Sequence, residues 1–297
     1  MLRPLAPMHD TYFIEYDPLP QSTLYHYTSL AGLLEIVEDQ VLWASNAHYL
    51  SDMKEIQHAQ DFMIAEIMDL LPRAPPYEAE VLTQLRHWLI DRGLNRHQLF
   101  LCSFTEEGNL LSQWRAYTPH GLGVSLGFPA ADVVQLAGAQ GYRLVKCVYD
   151  ADRQRQMIGR IIDAIFAQAQ QWEGALERAP KPQYYPLFER FTDELLLLSA
   201  VLKHWSFREE REWRVISPVF RDLADADVKY RIGRFTLIPY REFSITVGPG
   251  RPIDIDEVII GPSSSVALSM DSIPHYLASR GVHPRRGVHS CGIPYRG

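Results

Sequence analysis

The sequence predicts an α+β fold, and three observations carry that expectation. Short aromatic and β-branched runs with strand-like character recur along the chain, as at 24–27 and 142–149. Longer amphipathic runs place apolar residues at helical spacing, as at 30–37 and 54–71. No internal repeat, low-complexity tract or flexible linker divides them. A single domain over 1–297 is therefore expected, with a core at about 22–149 and 204–285 and a helical insertion at about 150–203.

The elements follow in order. Residues 24–27 read as a strand entering Thr28-Ser29, either of which can cap the helix that follows. A second strand is expected at 41–45, a polar loop at 46–52 and a helix from about 54 to 71. Arg73-Ala74-Pro75-Pro76 breaks that helix, and another runs to about 92. The continuous apolar run 99–104 has strand length, and a short helix is expected at 110–117. Strands at 123–128 and 142–149 precede the helical region, which Ala179-Pro180-Lys181-Pro182 interrupts. Strands return at 212–216, across the alternating stretch 230–238, and at 258–261, before a final helix after Ser263-Ser264-Ser265.

Composition narrows the functional classes. With 46% hydrophobic and 22% charged residues the chain is of ordinary globular composition, not a disordered one. A net charge of -7 argues against a large nucleic-acid or anionic-membrane surface, although it leaves room for a local basic pocket. The first seven residues hold two prolines and no apolar run, so no signal peptide is expected. The most apolar run, 195–202, falls short of the roughly 20 residues that span a bilayer, so no membrane association is expected. Three cysteines without CxxC spacing suggest neither a disulfide framework nor a zinc site, and a cytoplasmic location fits. His289-Ser290-Cys291 is too sparse a ligand set for a metal, and Gly121-Leu122-Gly123 lacks the spacing of a dinucleotide fingerprint.

Three polar clusters sit on or beside expected strands, where a buried sheet tolerates polar groups poorly. They are His26-Tyr27-Thr28, then Ser103 followed by Gln113, Trp114, Arg115 and Tyr117, and then Glu209 to Arg214. In extended geometry Glu210, Glu212 and Arg214 share one strand face, with Arg211 and Trp213 on the other. Two carboxylates and a guanidinium there can stabilise a developing cation and orient a hydroxyl nucleophile. Each cluster also has a purely structural reading. His26 can be a hydrogen-bonded core histidine, Ser103 a strand terminator, and the glutamates a solvated edge with cross-paired charges. Trp114 and Tyr117, three apart on a helix, can be core.

In this order the clusters resemble a bacterial family of unknown function, domain-of-unknown-function family 2971. The resemblance spans about 24–262, through Tyr25-His26-Tyr27-Thr28, Leu42-Trp43-Ala44-Ser45 with Asp52, Cys102-Ser103-Phe104, Trp114-Arg115-Ala116-Tyr117, Gly123 to Phe128, Glu210 to Arg214 and Val258 to Pro262. A strand with His-x-Thr, a middle strand ending in Ser and a late strand beginning with Glu is also distantly similar to ADP-ribosyltransferases. That similarity implies a split, mixed or antiparallel sheet with flanking helices. It implies NAD as the substrate, no metal, and a macromolecular acceptor, protein or nucleic acid, in toxin or phage-defence biology. His26 and Thr28 would then serve the adenosine-side ribose, Tyr27 or Tyr117 would stack on nicotinamide, and Ser103 would support the central strand. Trp114 and Arg214 would complete the binding set, and Glu212 would grip the nicotinamide ribose while Glu210 orients the acceptor, or the two glutamates would exchange these roles. NAD hydrolysis, modification of a nucleic acid, and nucleotide binding without turnover are the alternatives.

Overall fold

Strand β1 (Thr23–Ser29) sends Leu24 into the core with no exposed surface. Ser29 ends it and caps helix α1 (Leu30–Asp39), its hydroxyl accepting the Gly32 N–H at 3.0 Å. Gln40, in the left-handed region at φ 59°, closes the helix and turns the chain into β2 (Val41–Asn46). A computed structural model gives these elements and describes residues 20, 22–49, 53–91, 94, 97–118, 123–175, 184–225, 227–233, 235–246, 248 and 252–294. Asp52, Gly121, Leu122 and the interruption expected at 179–182 lie outside the described residues.

Helices α2 (Met53–Leu70) and α3 (Pro76–Asp91) follow, separated as expected around Pro75-Pro76. The apolar run becomes β3 (Phe100–Thr105), and α4 (Leu111–Tyr117) leads to β4 (Gly123–Pro129). Next come α5 (Ala130–Ala139) and β5 (Arg143–Lys146), then α6 (Ala151–Ala175), α7 (Tyr185–Phe188) and α8 (Thr192–Val201). Strands β6 (Glu212–Ile216), β7 (Lys229–Ile232), β8 (Leu237–Ser244) and β9 (Glu257–Ile260) return the chain to the sheet. Helix α9 (Val266–Ser279) and β10 (Val288–Ser290) close it.

The strands form one open, mixed sheet in the order β10-β9-β4-β1-β3-β2-β8-β7, with β6 on β3 and β5 beyond β6. The β9–β10 pair is parallel and the other named pairs are antiparallel. Strand β3 has three partners but only two edges. Strand β6 occupies one edge from Leu101 to Thr105. On the other, β2 pairs only at Phe100 and Leu101, and β1 only at Thr105. The sheet therefore forks there, and no strand pairs with 102–104 on that edge.

Side-chain alternation gives the sheet two cores. Phe100, Cys102, Phe104, Trp213 and Val215 face one core with α1 and α5. Leu101, Val145 and Ile216 face the other, where α2, α3, α6, α7 and α8 form a helical layer. Three expectations change. The stretch 230–238 is a hairpin of β7 and β8, because the Gly233 N–H bonds the Thr236 carbonyl at 2.8 Å and reverses the chain. The strand expected to 149 ends at Lys146, after which the Val148 N–H turns to the Val201 carbonyl of α8. Elements α5 and β10 were not anticipated, since α5 has no capping side chain and β10 has only three residues.

The closest backbone approach is at Gly123, where an added Cβ would lie 2.4 Å from the Thr28 carbonyl oxygen and 2.3 Å from Thr118 Cγ2. Gly123→Ala is accordingly expected to cost about 1–3 kcal/mol in urea unfolding. Parental stability would mean that β1 and β4 can separate without loss.

Candidate active site

The fork in the sheet is where the polar residues gather. Along the unpaired stretch of β3 the Ser103 carbonyl points away from β6, and His26 Nδ1 reaches it at 3.0 Å. A carbonyl only accepts, so Nδ1 carries the proton and Nε2 of a neutral ring is left as an acceptor. Burial lowers the His26 pKa, opposed by the bond to Ser103, so the ring is neutral at physiological pH. An imidazole thus takes the place of a strand neighbour at this point.

A cleft of about 50 Å³ opens beside it. Its aromatic walls are Tyr25, Tyr27, Phe104 and Tyr117; His26, Ser103, Thr105 and Gln113 add polar groups, and Glu210 and Glu212 close the acidic end. At one water per roughly 10–15 Å³ of such space, the cleft of about 50 Å³ has room for about three to five waters. Its walls are held firmly. The Tyr27 hydroxyl donates to the Glu107 carbonyl at 2.9 Å and accepts the Leu110 N–H at 2.8 Å, fixing the loop after β3. The Tyr27 ring packs edge-on against Trp114 with centroids 4.6 Å apart. The Tyr25 hydroxyl donates to Glu257, which Arg286 Nη2 contacts at 2.8 Å.

At the acidic end three buried charges, Lys203, Glu212 and Arg214, meet a fourth, Glu210, that is partly exposed. Arg214 forks Glu212, Nε to Oε1 at 2.8 Å and Nη2 to Oε2 at 2.9 Å. Lys203 Nζ lies 2.7 Å from Glu212 Oε2 and 2.6 Å from Glu210 Oε2. Arg214 Nη1 also donates to the Ala200 carbonyl at 2.7 Å, satisfying one of the last carbonyls of α8. Burial alone would raise the Glu212 pKa, but Arg214 and Lys203 outweigh it and bring it to about 2. Glu106 behaves similarly: burial opposes its charge, and hydrogen bonds from Lys146 and Trp213 prevail, holding it below the ordinary value.

The strand-face expectation for the glutamates holds for Glu212 and Arg214, two apart on β6. Glu210 differs. It ends a 3₁₀ turn (Trp205–Glu210), and Arg211 at φ 41° redirects the chain before β6 begins. Lys203, rather than strand alternation, draws the two carboxylates together. Arg211 points elsewhere, to Glu107 at 2.5 Å.

The fold brings His26, Tyr27, Ser103, Tyr117, Glu210 and Glu212 into the cleft. Trp114 stands behind Tyr27, 2% exposed, with its indole N–H on Asn109. Thr28 and Arg214 do not line the cleft: Thr28 packs against Gly32, and Arg214 lies buried behind Glu212. Sequence reasoning missed Lys203, which follows an apolar helix like any solvated C-terminal cation. It also missed the wall role of Tyr25 and Thr105, which read only as strand residues.

Residues 113–215 match the family model described as protein of unknown function, DUF2971. The DUF2971 match starts at Gln113 in the cleft and ends one residue past Arg214, so it contains the whole charged quartet of Lys203, Glu210, Glu212 and Arg214. His26 and Ser103 precede it. No curated protein and no solved structure matches the chain. No helix among the described residues is long and apolar enough to cross a membrane, and among them no His, Cys, Asp and Glu group could hold a metal ion.

The quartet makes a pH prediction. The Glu212 pKa falls from 4.5 to about 2 on folding, a stabilisation on the order of 3 kcal/mol, present above pH 4.5 and lost as pH falls through 2. Glu212→Gln leaves two buried cations short of a counter-charge and is expected to cost about 3–5 kcal/mol at neutral pH. Urea midpoints should show that gap narrowing once the pH drops below 4.5. A gap independent of pH would mean that Glu212 is not held as a carboxylate.

Proposed function

We propose that the cleft binds NAD and cleaves its nicotinamide–ribose bond, passing the ADP-ribosyl group to a macromolecular acceptor in an ADP-ribosyltransferase-like reaction. The observation that carries this reading is the convergence of His26, Ser103 and the Glu210/Glu212 pair, from segments far apart in sequence, on one aromatic cleft. Breaking that bond develops oxocarbenium character at the ribosyl carbon, and a nearby carboxylate stabilises it. A neutral His26 suits recognition of ribose hydroxyls, because its Nε2 accepts a hydrogen bond without adding a repelling charge. Tyr27 and Tyr117 supply flat faces for the nicotinamide ring.

The two glutamates divide the work according to their partners. Glu212 Oε2 already meets Arg214, Lys203 and the Cys147 thiol, whereas among the described residues Oε1 meets only Arg214 Nε and has a lone pair for one hydroxyl. Glu212 thus grips the ribose, and Glu210, at the mouth of the cleft, orients the acceptor nucleophile. A space of about 50 Å³ takes only part of a dinucleotide, so binding requires the rim at Tyr117, 43% exposed, to swing outward.

The small cleft and the double neutralisation of Glu212 favour a second reading, a module that binds nucleotide without turnover. Nicotinamide release separates the two. With cell lysate as a source of acceptor, wild-type protein is expected to release nicotinamide, and His26→Ala and Glu210→Gln to lose at least about a hundredfold. Saturable NAD binding without release would establish the binding module instead. Absence of both would remove NAD from the cleft.

A further inference from the structure

The Lys203 ammonium takes no part in the division of work just described, yet it touches both carboxylates. Its place is fixed by the backbone: its N–H donates to the Val148 carbonyl at 3.0 Å, and its carbonyl accepts from Gln154 Nε2 of α6 at 2.9 Å. The side chain is 3% exposed, and Nζ lies 5.2 Å from the centre of the Phe207 ring. A lysine carried this far from water needs counter-charges, and Glu210 and Glu212 supply them at 2.6 and 2.7 Å. Arg214 is different, since it forks Glu212 and caps α8.

We infer that Lys203 is the positioning residue of the cleft, its ammonium holding Glu210 and Glu212 in one orientation so that the two carboxylates work as a unit. The inference rests on reading the cleft as an NAD-cleaving site. Glu210 has no strand register to fix it, because Arg211 breaks the extended backbone between the two glutamates. Without the bridge, the two neighbouring carboxylates would repel, and one would protonate or turn away. With it, the two carboxylates share one cation and are held side by side at the acidic end of the cleft.

The test compares wild type, Lys203→Met, Lys203→Arg, Glu210→Gln and the Lys203→Met/Glu210→Gln double variant, with folding checked by circular dichroism. Nicotinamide release is followed against pH. Lys203→Met is expected to lower kcat about tenfold or more while KM changes less than about twofold. Its acid limb should move up by about one pH unit, because the carboxylates lose an opposite charge. Lys203→Arg should return the acid limb towards the wild-type position. In the Glu210→Gln background the Lys203→Met loss should largely disappear, since the two residues act together. A folded Lys203→Met with wild-type kcat and an unmoved acid limb would overturn the inference, as would simple additivity in the double variant. Should Lys203→Met not fold, the double variant, which restores charge balance, is compared with Glu210→Gln alone, and a further large loss overturns the inference.

A readout independent of turnover keeps this separate from the NAD reading. Carbon-13 NMR of glutamate carboxyls follows their titration in wild type and Lys203→Met. If wild type releases no nicotinamide, the NAD reading fails, and the titrations alone decide on Lys203. Upward movement of both carboxyls on removal of the ammonium supports the bridge, and unmoved carboxyls overturn it.

Discussion

Two cations and two carboxylates set side by side, Arg214, Lys203, Glu210 and Glu212, tie the helical layer to the sheet at the acidic end of the cleft. Arg214 lies on β6 and bonds the end of α8, so the guanidinium fastens the helical layer to the sheet. Lys203 follows α8 and is held by Gln154 of α6. Glu210 comes from the exposed turn between them. The buried members, Arg214, Lys203 and Glu212, are tolerable away from water only because they pair with one another, since a single buried ion costs several kcal/mol. The geometry of the acidic end follows from that mutual dependence, including the departure of Glu210 from strand register.

The fork in the sheet complements this arrangement from the opposite wall. An antiparallel sheet closed along the whole of β3 would have buried Ser103 beneath a neighbour. Because β1 and β2 meet that edge at opposite ends, a polar gap opens, and His26 fills it with a hydrogen bond that a backbone amide would ordinarily make. The burial that lowers the imidazole pKa and the contact that fixes its tautomer come from the same placement.

Much of the fold was legible because local chemistry decides it. Ser29 caps α1 as its residue type implies, the apolar run at 99–104 becomes the central strand, and Pro75-Pro76 separates α2 from α3. The hairpin at 229–244 was not, because residues on both sides of Gly233 continue a two-residue alternation and the reversal leaves no strong turn signature. Of the site, His26, Ser103 and Glu212 could be singled out since polar residues on strands are conspicuous. Lys203 could not, because a lysine at the end of an apolar helix looks the same whether it reaches water or folds back onto two glutamates. Trp114 illustrates the converse. The resemblance places it in the binding set, whereas its helical spacing with Tyr117 reads as core, and its position behind Tyr27 agrees with the core reading.

Charge balance within the quartet has a bearing on ionic strength. The four groups sum to zero, and Lys203, Glu212 and Arg214 lie away from mobile ions, whose screening falls mainly on solvent-exposed pairs. The exposed pairs Lys229–Glu242 and Arg280–Glu38 are open to such ions, and at 1 M salt, where the Debye length is about 3 Å, they fade. Electrolyte therefore divides the molecule into two electrostatic regimes: an interior whose charges answer only to one another, and an acidic exterior whose attraction or repulsion of a charged macromolecule can be dialled down without disturbing the cleft.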